Sequence, residues 1–280
     1  MSLADSQKFC ADRVRRLDPD RYLSTLFAPD EHRAALLALY AFNLEIATNG
    51  DMVSESLIGR MRLQWWRDAL DKIAAGEDVG HGIGDALAAA LELSNISVEL
   101  PHRMIEAREF DLAERPPVNM GEVETTLDAA VGSLVALASA VLGKPCGPED
   151  DLARYAGLAI GLTGLIRMIP HNARRGRITL PDDLMRRAGA VAAPLLAGHI
   201  ENFHEEVIEI IAGRARECLG RVRDARPGRP ELAAFLPIAL ADDYLSRLAR
   251  ANYDPFAPGL EPGRLSRQIR LTRAAWRGRV

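Results

Sequence analysis

Two groups of side chains in the 280-residue chain have types and spacings that could do chemistry. In the first, Glu45 and Asn49 are four residues apart, and so are Asp51 and Glu55. Residues four apart on a helix share a face, so paired carboxylates at that spacing supply the hard oxygen ligands that Mg²⁺ takes. Asn49-Gly50-Asp51 also reads as a helix end, with Ser54 or Ser56 capping the next helix, and that reading of Asp51 stands beside the ligand one. In the second group, Arg167, His171, Arg174, Arg175 and Arg177 fall in a stretch, Leu152 to Pro181, that contains no Asp or Glu. Arg167, His171 and Arg174 are spaced four and three apart, so a continuous helix would turn all three one way. Guanidinium chelates phosphate or carboxylate without metal, and that face would be a direct anion site. Pro170 predicts a kink or a helix end between them. The alternative for Arg174 to Arg177 is a solvated loop, or ion pairs with acidic helices elsewhere.

The remaining chemistry-bearing residues have structural readings. Trp65 and Trp66 would form an apolar platform, but neighbours on a helix point about 100° apart, so at most one faces a given cavity and at least one packs in the core. His199 and His204 are five apart, outside the usual metal pairing. Asp182-Asp183 fits a helix start and Asp242-Asp243 a surface position, and neither pair has its carboxylates four apart. Six arginines from Arg264 to Arg279, with Trp276 among them, predict a basic helical face for anionic lipid or a partner. Cys10, Cys146 and Cys218 are too scattered for a disulfide framework or a zinc site.

The elements that position these residues are helical throughout. Ala, Leu and Arg dominate, apolar residues recur at three and four, and β-branched alternation is scarce. Helices are expected from Asp30 through Phe42, from Ser56 to about Gly76, and over about Gly82–Leu93, Leu100–Ala113, Glu122–Leu142, Glu149–Ile169, Pro194–Arg223 and Pro230–Tyr253, with short ones after Pro181 and at the C-terminus. Short joints and no internal repeat predict a single domain over residues 1–280. The chain is 48% hydrophobic and carries a net charge of -4, which gives no overall basic field for nucleic acid. The longest apolar run, Leu158 to Pro170, is broken by Arg167, and the N-terminus lacks the apolar centre of a signal peptide, so no transmembrane segment and a cytoplasmic location are expected.

Several of these segments resemble the squalene/phytoene synthase family: Leu39-Tyr-Ala-Phe-Asn-Leu-Glu-Ile-Ala-Thr-Asn-Gly-Asp51, Arg62-Leu-Gln-Trp-Trp-Arg67, the Val131-Gly132 pair, and Ala173-Arg-Arg-Gly-Arg177 with Leu180-Pro181. The resemblance covers most of the chain and implies an all-α bundle of the isoprenoid synthase type with a central cavity. In active members, aspartates four apart on two opposing helices hold magnesium against a prenyl diphosphate. Laid on that pattern, the first motif falls on Ala47, Thr48 and Asp51, of which only Asp51 is acidic, and the second on Met168 and Asn172, neither of which is. Because Leu152–Pro181 has no acid, no shift of register restores the second wall. The resemblance adds Tyr40 to Asp51, Glu55, Arg167, His171, Arg174, Arg175 and Arg177 as ligand-binding candidates, with Asp51 and Glu55 as weak metal ligands.

Phe42-Asn-Leu-Glu45, Asp51-Met-Val-Ser-Glu55 and Ile58-Gly-Arg-Met-Arg-Leu-Gln-Trp65 look closer to the complex I assembly factors of the same family, whose aspartate motifs are degenerate. That branch implies a non-catalytic protein that binds a partner, such as a complex I subunit, at the inner membrane surface, with a prenyl diphosphate or anionic lipid as a further ligand and no cofactor. Two other readings remain: a divergent head-to-head prenyltransferase, which would need Mg²⁺, and a lipid or isoprenoid carrier.

Overall fold

A computed structural model of the chain describes residues 1–47, 56–112, 115–144 and 150–280. These residues form helices and connecting turns, with no strand among them. In order come α1 (Leu3–Leu17), α2 (Pro19–Thr25), α3 (Asp30–Ala47), α4 (Ser56–Ala74), α5 (Gly82–Leu93), α6 (Glu99–Asp111) and α7 (Met120–Leu127). A π-helical turn (Asp128–Gly132) leads into α8 (Ser133–Val141), followed by α9 (Asp151–Arg174), α10 (Asp182–Ala188) and α11 (Ala192–Leu196). The chain ends with α12 (Asn202–Ala225), α13 (Leu232–Phe235), α14 (Pro237–Arg250) and α15 (Arg264–Arg277).

The long apolar helix α9 organises the bundle. Its first half, through Ala153, Ala156, Leu158 and Ala159, belongs to a core shared with α1, α3, α5 and α8. Its second half, through Leu162, Ile166 and Ile169, belongs to a second core built largely with α12 and α14. Gly157 makes the junction: a Cβ there would run into the backbone of Gly132, so α9 and the π-turn pack backbone to backbone. That close approach explains why the helix expected over Glu122–Leu142 is interrupted. Asp128 opens the π-turn and accepts from Arg103 of α6 at 2.6 Å.

Other expected boundaries shift for local reasons. Pro170 neither ends nor splits α9, which continues to Arg174. Proline removes one intrahelical hydrogen bond, but Ile169 and Ala173 on either side are buried, and that packing holds the last turn in place. The helix expected from Pro194 to Arg223 is two helices, because Gly198 turns the chain at a φ of +87°. Its second part starts where the Glu201 amide donates to His204 Nδ1 at 3.1 Å. Pro237 likewise separates α13 from α14.

Two stretches, Met120–Val141 and Asp151–Arg174, are long and apolar enough to cross a membrane by length and composition, which corrects the expectation that none approaches that size. In each, 56% of the apolar window is buried among neighbouring helices, so the core accounts for the composition.

Candidate functional site

The wall formed by α9 presents Arg167, His171 and Arg174 on one exposed side, as a helix continuing past Pro170 requires. Arg167 is already engaged. Its Nε donates to Glu261 Oε1 at 2.7 Å and its Nη2 to Glu261 Oε2 at 2.9 Å. Glu261 also accepts from Arg267 at 2.9 Å, and Arg267 reaches Asp20 at 2.9 Å, so a chain of alternating charges ties α9 to α15 and α2. The Arg167 guanidinium lies 5.6 Å from the centre of the Tyr244 ring. Burial, reinforced by Glu261, pushes the Tyr244 hydroxyl well above the usual phenol range, while Arg167 pulls the other way.

The two positions that the family pattern assigns to carboxylates lie on the same helix. Met168 is 41% exposed, and Asn172 donates from Nδ2 to Thr179 Oγ1 at 3.4 Å. Arg174 and Arg175 are exposed at the C-terminal end of α9, and His171 and Arg175 each have an interaction partner. Arg177, half-buried, lines a shallow hollow with Ile169, Ala173, Thr179 and Leu195. A second shallow hollow lies between Arg103, Asp128 and Arg154. Neither has room for more than about one water molecule.

Helix α3 carries the other group of candidates. Tyr40 is buried, with the Arg21 guanidinium 5.7 Å from its ring centre, and burial pushes its hydroxyl up to about 12 against the pull of Arg21. Asn43 accepts from Arg108 at 3.4 Å. Glu45 is clamped by Arg13 of α1 and by Arg62 of α4, the latter at 2.9 Å, so its carboxylate joins helices. Ala47 ends α3. Thr48, Asn49, Asp51 and Glu55, with the capping reading of Asp51, lie outside the described residues, as does Cys146.

Magnesium of the kind the family uses finds no carboxylate at the two motif positions of the α9 wall, where Met168 and Asn172 stand. Among the described residues no three His, Cys, Asp or Glu side chains gather where they could hold a metal ion. The arrangement can organise charge between helices, and its basic side chains can meet an anionic partner.

Other candidates resolve into structure. Trp66 is buried edge-on to Phe42 and Trp65 is half exposed, each with His81 beside it. His204 is buried, and its Nε2 sits 2.8 Å from the Val191 carbonyl, so both ring nitrogens are occupied. Asp182 and Asp183 open α10 as expected. Asp243 does not sit at the surface. It is 3% exposed and bound by Arg247 and Arg270, because α15 folds over α14 at that point. The ion pairs of Glu261 with Arg167 and of Arg267 with Asp20 were not foreseen, since no spacing rule links residues 94 and 247 apart in sequence.

Comparison with known proteins agrees with this geometry. Complex I assembly factor 6 of Rattus norvegicus is 29% identical over 279 residues, covering 99% of this chain and 84% of its own. Phytoene synthase 3 of Zea mays is 27% identical over 263 residues, covering 88% of this chain and 60% of its own. A dehydrosqualene synthase crystal structure superposes with a TM-score of 0.86 at 16% identity, over 98% of this chain and 96% of that one. A squalene synthase from Alicyclobacillus acidocaldarius gives 0.79 at 20% identity, over 90% and 95%. The squalene/phytoene synthase family model matches residues 14–276. With the shared all-helical fold, that match means that the chain belongs to the squalene/phytoene synthase family.

Proposed function

We propose that this protein is a non-catalytic member of the family that acts in assembly of the respiratory NADH dehydrogenase, complex I, by binding a protein partner. The observation that carries the reading is the α9 wall. It has no carboxylate from Leu152 to Pro181, and its leading cation is held by Glu261. Ionising a prenyl diphosphate requires strong charge stabilisation at the leaving group, and removing the metal ligands costs orders of magnitude in rate. Relatives named as complex I assembly factors, similar over nearly the whole chain, support the assembly role.

The test is deletion of the gene in its own organism, followed by NADH:quinone reductase activity and the amount of assembled complex on native gels. Both fall on deletion and return with the wild-type gene. Normal activity and normal complex in the deletion strain would refute the assembly role.

A further inference from the structure

Helix α15 carries a surface that the family reading does not use. Five arginines lie within it and a sixth follows at Arg279, with no acidic residue from Arg264 to the end of the chain, although the whole protein has a net charge of -4. Arginines spaced by three do not stay on one face, because each step of three turns them back by about 60°. The expected single basic face is therefore split. Arg267 and Arg270 turn inward to Asp20, Glu261 and Asp243. Leu271 and Ala274 are buried against α13 and α14. These contacts fix the roll of the helix about its axis.

With the roll fixed, the outer face is apolar. Leu265 is 69% exposed, Ile269 58% and Trp276 83%. At 100° per residue these three fall within about 40° of arc, on the side opposite Leu271 and Ala274, and form a stripe about 16 Å long. Arg273 and Arg277 lie along one side of the stripe, about 60° and 100° from its centre, and Arg264 stands exposed at the start of the helix; none of the three has an ion-pair partner among the described residues. Gln268 and Thr272 are exposed beside it, and Arg270, although paired with Asp243, also keeps contact with solvent.

We propose that the outer face of α15 docks the protein on an anionic lipid surface. The chemistry is that of an interfacial helix: a narrow apolar stripe reaches the acyl boundary, an exposed tryptophan sits at headgroup depth, and flanking guanidinium groups pair with lipid phosphates. A shallow convex stripe of three side chains suits a fluid surface that adapts to it. The surrounding excess of positive charge selects a negative one. Because ion pairs hold the helix in place before it binds, docking does not require it to fold.

The experiment is sedimentation of the full-length protein with phosphatidylcholine vesicles, with and without about one-third phosphatidylglycerol. Wild type co-sediments with the anionic vesicles, is released by raised salt, and stays largely free with the neutral ones. Arg273→Glu/Arg277→Glu weakens binding about tenfold or more, and Leu265→Ser/Ile269→Ser/Trp276→Ser abolishes it. All five positions are exposed, and thermal melts confirm that the variants fold. As a second readout, brominated lipid quenches wild-type fluorescence more than that of Trp276→Phe. No binding of wild type to anionic vesicles would overturn the proposal, and so would full binding by the serine variant. Retention on an acidic polypeptide without vesicle binding would assign the face to a protein partner and overturn it as well.

Discussion

Arg167 and Glu261, 94 residues apart in sequence, close a two-bond ion pair across the position where the family pattern expects the metal-binding wall. Glu261→Gln removes the charge that holds both Arg167 and Arg267. Because these side chains are partly exposed, the loss of stability is about 1 kcal/mol, read from urea unfolding. The freed guanidinium on the face of His171 and Arg174 raises affinity for inorganic pyrophosphate in EDTA about fivefold by calorimetry. Unchanged affinity would show that this face does not bind anions.

Asp243 holds Arg247 and Arg270 from a buried position, so Asp243→Asn leaves two cations around a neutral group. The expected cost is about 3 kcal/mol, softened because both arginines can reach water. A loss below about 1 kcal/mol in denaturant titration would mean that α15 is held by apolar packing alone.

Gly157→Ala places a methyl group into the Gly132 backbone, where no side chain can move aside. Overpacking there costs about 3 kcal/mol. The same substitution at Gly164, which has open space, costs nothing comparable and adds helix propensity. Equal melting temperatures for the two variants would contradict the backbone-to-backbone junction.

Alkaline pH acts on two buried groups. Burial raises the Tyr40 hydroxyl to about 12 and the Cys10 thiol to about 11, above their ordinary values of 10.0 and 9.0. Both are neutral in the fold, and the unfolded chain loses its protons first. Their contribution is thus intact below about pH 9 and lost as pH rises from about 9 to about 12. For fully buried Tyr40 the loss is about 3 kcal/mol. Tyr40→Phe therefore flattens the fall in stability above pH 10, and an unchanged slope would show that Tyr40 does not titrate late.

Much of this was legible in the sequence. Apolar spacing gave the helices from Asp30, Ser56 and Gly82, and the acid-free run from Leu152 to Pro181 exposed the altered wall without any structure. The helix end offered for Pro170 did not occur, because a local rule about a missing amide was outweighed by the burial of Ile169 and Ala173. Asp243 and Glu261 were hidden for a different reason. Their partners come from helices that meet them only after the chain has folded, and a surface-like Asp-Asp pair carries no mark of burial. The arginines of α15 illustrate the same limit: their spacing was visible, but which of them turn inward depends on Asp20, Glu261 and Asp243.

The most direct test of the account is incubation of the purified protein with farnesyl or geranylgeranyl diphosphate and Mg²⁺, with released pyrophosphate and hydrocarbon products measured together. An α9 wall without carboxylates predicts neither above the level of protein-free controls. Sustained release of pyrophosphate with a coupled hydrocarbon product would contradict it and return the protein to the working synthases of its family.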